Sequence, residues 1–117
     1  MTSAELQAFL SPEPAAFQWS QSADARRTIG TSPGAVLDLL PHQAQLVCLF
    51  PPDAGGIAAR SGTLMLLLLT ALRPDWPGAA SWLASAMQGG GDISYSRQVQ
   101  FTFDAARSRG TLLVELL

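Results

Sequence analysis

The chain has 117 residues, of which 48% are apolar and 14% are charged, and its formal net charge is −2. This length predicts one domain whose core needs no disulfide or metal to hold it together. Lysine and asparagine are absent, so a Schiff-base lysine, a phosphate-loop lysine and N-glycosylation are excluded. The single cysteine excludes an intramolecular disulfide and a cluster of thiolates around a metal.

The distribution of charge and of apolar residues limits the partners and the location that we expect. The arginines form no basic stripe, since only Arg26-Arg27 and Arg107/Arg109 are close pairs, so we expect no nucleic-acid partner. The longest apolar run, Leu64–Leu69, is far shorter than the ~20 residues that span a membrane, and the N-terminus lacks the pattern of a secretory signal. A high-GC coding bias accounts for the missing Lys and Asn, and we expect a cytoplasmic bacterial protein with no membrane partner.

The first predicted element is a short helix over Ser3–Leu10. Thr2 and Glu5 have the spacing of a capping box, in which each side chain satisfies a free backbone N–H at the start of the helix. Farther along, Phe17 and Trp19 alternate with polar residues, and this period of two predicts a short strand.

A second short helix is predicted over Ala35–Leu40. Ser32-Pro33 has the pattern of an N-cap followed by proline at the first helical position, and Pro41 ends the helix. The compact apolar segment Gln45–Phe50 then predicts a strand, and the proline- and glycine-rich residues 51–56 predict a turn or loop.

Two longer helices are predicted in the middle of the chain. The first begins between residues 61 and 63 and ends at Arg73, because leucine and methionine are strong helix formers. It is apolar on all sides, so other parts of the protein must cover most of it. The second begins near Asp75 and runs to Gln88, where three successive glycines end it.

The alternation of apolar and polar residues over Ile93–Phe103 is the clearest pattern in the chain, and it predicts a strand with one buried face. A second apolar stretch, Leu112–Leu117, should pair with it antiparallel, because the connection is too short for a parallel crossover. Matching the two apolar faces predicts a register with the pairs Phe103 with Leu112, Phe101 with Val114, and Val99 with Leu116.

This hairpin register has a consequence for its second face. Leu113 and Leu117 fall on the face that is otherwise polar. Either another element covers them or they form a small apolar contact patch. The tip lies around residues 106–109, and Gly110 is available for an unusual backbone angle. For the whole chain we expect an α+β fold, in which a small antiparallel sheet with this C-terminal β-hairpin packs against two or three helices.

The residue types of catalytic and metal sites form no recognisable motif. His42 is the single histidine and no local cluster of ligands accompanies it, so we expect no metal and no cofactor. The string nearest to a nucleophile elbow, Arg60-Ser61-Gly62, lacks the first glycine. Cys48 lies within an apolar stretch and is expected to be a small buried hydrophobe. Among the scattered acids, Asp38 stands between apolar residues, so its burial would matter.

We expect a non-catalytic protein-interaction module, a small adaptor or a chaperone-like homo-oligomer such as a homodimer. With only 14% charged residues, a small domain must cover itself partly with apolar groups, and large apolar patches mark partner sites. The partner is then another protein or a second copy of the chain. The residues expected to contact it are Leu113, Leu117, Arg107, Arg109 and Trp76.

The alternative is a small-ligand-binding or enzymatic α+β domain. Catalytic residues need only meet in space, so the absence of a sequence motif does not remove this alternative. It requires a concave pocket in which His42, Tyr95, Arg97 or Asp38 converge.

Overall fold

The computed structural model describes residues 3–13, 15–23, 26–52, 56–88, 94–96 and 98–116. Within these residues the chain forms three helices: α1 (Ser3–Leu10), α2 (Ile57–Leu72) and α3 (Ala79–Gln88). It also forms seven strands: β1 (Gln18–Gln21), β2 (Thr28–Ser32), β3 (Ala35–Leu39), β4 (Gln43–Leu49), β5 (Ser94–Ser96), β6 (Val99–Asp104) and β7 (Arg109–Glu115). The strands make one antiparallel sheet in the order β1-β2-β3-β4-β7-β6-β5. The predicted α+β class is therefore correct.

The sheet has an inner face that is buried and an outer face that is not, because side chains alternate along every strand. The inner face is best seen in one row of residues that are paired from strand to strand: Trp19, Gly30, Leu37, Leu46, Leu112 and Phe101. All of these except the partly buried Trp19 are buried. The core therefore lies between this face and the helices.

The three helices all pack on the inner face. Helix α2 contacts β4 and β7, helix α3 contacts β6, and the buried Leu6 and Leu10 of α1 join the same core cluster. Trp19 Nε1 donates a hydrogen bond of 3.0 Å to Ser11 Oγ, which ties β1 to the end of α1. The Arg60 guanidinium donates to the Ala15 carbonyl at 2.9 Å and so ties α2 to the segment before β1.

Helix α2 begins earlier than its leucine-rich run indicated. It starts at Ile57 rather than between residues 61 and 63, and it ends at Leu72 as expected within one residue. The added first turn holds Arg60, and the burial of Ser61 places the early part of the helix against the sheet. Ser61 Oγ donates a hydrogen bond of 2.6 Å to the Leu49 carbonyl. This polar contact with β4 helps to position the helix, and the pattern of apolar residues does not predict it.

The predicted helix over Ala35–Leu40 is wrong, because this segment is strand β3. Its side chains alternate between buried and more exposed positions, as expected for a strand with one buried face. The strand pairs with β2 on one side and with β4 on the other. Pro33 and Gly34 form the tight turn from β2, and Gly34 has a φ of 75°, which glycine adopts without strain. Ser32 Oγ donates to the Ala15 carbonyl at 2.8 Å, where the prediction had it cap a helix.

The C-terminal hairpin exists, but its first strand and its register differ from the prediction. The single long strand is broken at Gln98, which has a φ of 59°, so that β5 folds back antiparallel on β6. In the β6–β7 hairpin Phe101 pairs with Leu112, Val99 with Val114, and Phe103 with Gly110. The register of β6 against β7 is therefore shifted by two residues, and an even shift keeps the side chains of these two strands on their predicted faces. The break at Gln98 instead pairs Tyr95 with Gln100, where the prediction placed Tyr95 in line with Val99 and Phe101.

The observed register gives Gly110 a role that differs from the predicted one. This residue belongs to β7 instead of the tip, and the tip turn uses Ser108, with a φ of 49°. A Cβ atom on Gly110 would lie 2.8 Å from the Phe50 ring and 3.2 Å from the Phe101 ring. The glycine is needed because two aromatic rings occupy the space above its backbone.

Candidate functional site

The outer face of the sheet is the candidate site, because no element in the described part of the chain lies over it. Its central strands β3, β4 and β7 present their alternate side chains there. β2 and β6 extend this face on either side. The outer-face residues of these five strands are Ile29, Thr31, Val36, Asp38, Gln43, Gln45, Val47, Leu49, Gln100, Thr102, Asp104, Arg109, Thr111, Leu113 and Glu115.

Five aliphatic side chains on this face remain partly open to solvent. Val36 is 45% exposed and Leu49 is 46% exposed, while Ile29, Val47 and Leu113 have intermediate exposure. Val36 pairs directly with Val47 across β3 and β4. A shallow depression of about 330 Å³ lies here, lined by Thr31, Ser32, Gly34, Ala35, Val36, Val47 and Leu49. This end of the face is therefore both concave and apolar.

Leu113 lies near the centre of the outer face, between two glutamines. Its partners across the neighbouring strands are Gln45 on β4 and Gln100 on β6. The prediction that Leu113 stands on the otherwise polar face of the hairpin is confirmed by its alternation with buried Leu112 and Val114. Leu117, the other residue of that predicted patch, lies outside the described residues.

A bidentate ion pair occupies the β2–β3 side of the outer face. Arg27 Nε donates a hydrogen bond of 2.6 Å to Asp38 Oδ1, and Arg27 Nη2 donates one of 2.6 Å to Asp38 Oδ2. The hydrogen bonds and charge of Asp38 raise the pKa of the Arg27 guanidinium. Both oxygens of Asp38 are engaged, so this carboxylate is satisfied by its partner and gives this side of the face no net charge.

Charges of opposite sign stand at the two ends of β7. Arg109 begins the strand and its side chain is 41% exposed, with Nη2 lying 3.9 Å from Oδ2 of Asp104. Glu115 ends the strand and is exposed. The Arg73 guanidinium donates a hydrogen bond of 2.7 Å to the backbone carbonyl of Glu115, which fixes the end of the strand beneath the helices. The Glu115 side chain remains at the surface.

Only some of the residues predicted to contact a partner meet on one surface. Leu113 and Arg109 share the outer face, and Arg107, 71% exposed, lies at the adjacent hairpin tip. Trp76 lies in the connection between α2 and α3, where its ring centroid is 5.3 Å from that of Trp82. It belongs to the helical side of the protein, so it cannot share a flat contact surface with Leu113.

The described residues of the alternative pocket are spread across the sheet. Asp38 stands on β3 and Tyr95 on β5, four strand positions apart, which corresponds to about 19 Å at the usual strand spacing. His42 is exposed in the turn before β4, and Arg97 lies outside the described residues. Within the part of the chain that the structure describes, no three His, Cys, Asp or Glu residues are grouped to hold a metal.

Cys48 lies on the inner face and is buried, as expected. Burial raises the pKa of its thiol to about 12, although Ser61 and Arg60 partly oppose this effect. The thiol is therefore protonated at neutral pH and poorly nucleophilic.

The residues that sequence reasoning missed are four of the five outer-face aliphatics: Ile29, Val36, Val47 and Leu49. Val36 was hidden by the predicted helix, in which it had no defined face. The available signal was the alternation of Ala35, Leu37 and Leu39 with Val36 and Asp38, which fits a strand better than a helix.

Comparisons with protein-family models, curated proteins and solved structures found no match to this chain. Among the described residues, no helix is both long enough and apolar enough to cross a bilayer.

Proposed function

We propose that the protein is a non-catalytic protein-interaction module, a small adaptor or chaperone-like subunit, that binds a protein partner through the outer face of its sheet. The observation that carries this proposal is the set of partly exposed aliphatic side chains on a sheet face that no described element covers. Antiparallel sheets commonly leave one face in water, but that face is then usually polar. Here Val36 and Leu49 are each nearly half exposed.

The free energy available from these side chains sets what the partner must provide. Fully burying a Val or Leu side chain is worth about 1.5–3 kcal/mol, so covering the exposed parts of Val36 and Leu49 yields roughly 1 kcal/mol each. The three less exposed residues add about 1–2 kcal/mol together on the same scale. Association itself costs at least about 4 kcal/mol in lost freedom. Polar or charged complementarity must therefore supplement the apolar contact.

Two matched substitutions test this function. Val36→Asp places a charge in the apolar patch, whereas Phe9→Asp makes the same type of change at a residue of equal exposure (45%) on α1, on the helical side. We expect the wild-type protein and the Phe9→Asp variant to form complexes heavier than the 12.4 kDa chain. The Val36→Asp variant should be found as the free chain. Native mass spectrometry measures both mass and composition.

The thermal midpoint of each variant separates lost binding from lost folding. A Val36 variant that unfolds at low temperature is replaced by Val36→Thr, which keeps the β-branched shape and removes only apolar character. The proposal is overturned if the wild-type chain stays at 12.4 kDa with nothing bound at about 100 μM, a concentration at which even a weak interaction of −5.5 kcal/mol is half formed. It is also overturned if the Val36 and Phe9 variants behave alike.

A further inference from the structure

The charges on β7 are arranged so that the strand complements itself when reversed. Arg109, Thr111, Leu113 and Glu115 all point to the outer face, because they alternate with the buried residues of the strand. Arg109 and Glu115 are six residues apart, which is about 20 Å along a strand. A second β7 laid over the first in the opposite direction would bring each arginine over a glutamate.

A two-fold axis running across the strands above Leu112 produces this reversal. It places Arg109 of one copy over Glu115 of the second copy, and the symmetric pair forms about 20 Å away. An axis parallel to β7 would instead stack Arg109 on Arg109 and Glu115 on Glu115, with like charges facing. Packed sheets lie about 10 Å apart, a gap that an arginine and a glutamate side chain can span together.

The same rotation joins the aliphatic residues of the two faces. Val47 is paired with Thr111 and Leu113 is paired with Gln45, so the two apolar residues lie in adjacent rows of the outer face. Reversal moves Val47 of the second copy into the row of Leu113, one strand away. By the same geometry Val36 of the second copy comes beside Ile29, since Ile29 is paired with Asp38 in that row. The apolar pairs then lie between the two ion pairs.

The size of the face fits a partner of the same width. Seven strands at ~4.8 Å spacing give a face about 34 Å across, and their lengths of three to seven residues give a projected area of roughly 600 Å². A standard interface buries about 800 Å² of accessible surface on each partner. A single extended peptide would cover one or two strand widths and leave most of the aliphatic residues open. A second sheet covers them all.

We propose that the partner on the outer face is a second copy of this chain, related by a two-fold axis that crosses β7 and pairs Arg109 with Glu115 of the other copy. This rests on the proposed function, since it names the partner of the same surface. The product is an isologous homodimer, in which each ion pair occurs twice.

Charge reversal in purified protein tests this arrangement. Native mass spectrometry and sedimentation of the full chain should show a species of twice 12.4 kDa. Arg109→Glu and Glu115→Arg should each raise the dimer dissociation constant about ten- to a hundredfold at low salt, because each substitution creates two like-charged contacts. The double variant Arg109→Glu/Glu115→Arg should return to within about threefold of wild type. Restoration by the second reversal is a result that simple loss of folding cannot produce.

Arg107→Glu is the matched control. Arg107 lies at the same hairpin tip and also faces Asp104, at 3.6 Å, but it precedes β7 and has no partner under the proposed rotation. Its reversal should leave the dissociation constant unchanged within about twofold, and circular dichroism should show all four variants folded.

The outcomes separate this proposal from the function on which it rests. A wild-type complex of another composition that depends on Val36 overturns the homodimer and keeps the interaction module. A homodimer that is insensitive to Arg109, Glu115 and Val36 places its interface elsewhere and overturns the proposal. Single reversals that weaken the dimer without rescue by the double variant refute the pairing of Arg109 with Glu115.

Discussion

Gly30→Ala is the substitution that best tests which face of the sheet is buried. Gly30 faces Trp19 across β1 and β2, and a Cβ atom there would lie 2.6, 2.9 and 3.0 Å from three atoms of the indole ring. The ring is held in place, because its Nε1 donates a hydrogen bond of 3.0 Å to Ser11 Oγ. Phe17 also contacts it, with ring centroids 5.6 Å apart.

The expected cost follows from two opposing effects. Overpacking by one methyl group costs about 1–3 kcal/mol, whereas replacing glycine by alanine stiffens the unfolded chain and returns about 0.4–1 kcal/mol. The net loss of unfolding free energy is then about 1–2 kcal/mol. For a chain of this length this corresponds to a fall of roughly 4–8 °C in the thermal midpoint.

A double-mutant cycle with Trp19→Leu gives the assay its control. Removing the indole ring opens the space, so Gly30→Ala should become neutral or stabilising in the Trp19→Leu background. Urea unfolding followed by far-ultraviolet circular dichroism measures all four free energies. An equal cost of Gly30→Ala in both backgrounds, or a stabilising effect in the wild type, would refute the packing of Trp19 over Gly30. The division of the side chains of β1 and β2 between the inner and the outer face would then be wrong as well, and the outer face is defined by that division.

Three further predictions concern a turn, a helix and a thiol. Gly34→Ala should lower the unfolding free energy by about 1–2 kcal/mol or more, because Gly34 has a φ of 75° and its new Cβ would lie 2.9 Å from the Ile57 methyl group. Gly62→Ala, in helix α2 with nothing within 4 Å of the new Cβ, should instead raise it by about 0.5–1 kcal/mol. In thermal melts, a destabilising Gly62→Ala would contradict the open space beside Gly62, and a stabilising Gly34→Ala would contradict the turn geometry at Gly34. Burial raises the pKa of the Cys48 thiol from 9.0 to about 12, so the unfolded chain releases this proton first and stability should fall as pH rises from about 9 towards 12. The slope should reach about 1.4 kcal/mol per pH unit, and its persistence in a Cys48→Ala variant would show that another group causes it.

Local patterns in the sequence were sufficient where one element could be recognised by itself. The capping-box spacing predicted the start of α1, and the helix has the bounds that we expected. The alternation before Phe103 predicted β6 and its buried face correctly. These succeeded because a helix end and a period of two are properties of neighbouring residues. Ser32-Pro33 led to the wrong prediction of a helix, because the same pair is found at the start of a helix and before a tight turn. Whether the following residues form a helix or a strand depends on β2 and β4, which pair with β3 on either side.

The register of the hairpin and the outer face required contacts between distant residues. Gly110 appeared to be a turn glycine, but it is needed for the rings of Phe50 and Phe101, and Phe50 is far from it in sequence. The candidate site was equally hidden. Val36 and Val47 pair between the consecutive strands β3 and β4, but Leu113 joins them only because β7 inserts beside β4.

The identity of the outer-face residues distinguishes a partner surface from ordinary strand composition. Valine, isoleucine and threonine are favoured in strands for their shape alone, so Ile29, Val36 and Val47 could serve the stability of the sheet without contacting a partner. Leucine has no such advantage, yet Leu49 is 46% exposed and Leu113 lies between two glutamines in the middle of the face. Strand propensity therefore does not explain these two residues, whereas the proposed burial against a second protein surface would account for both.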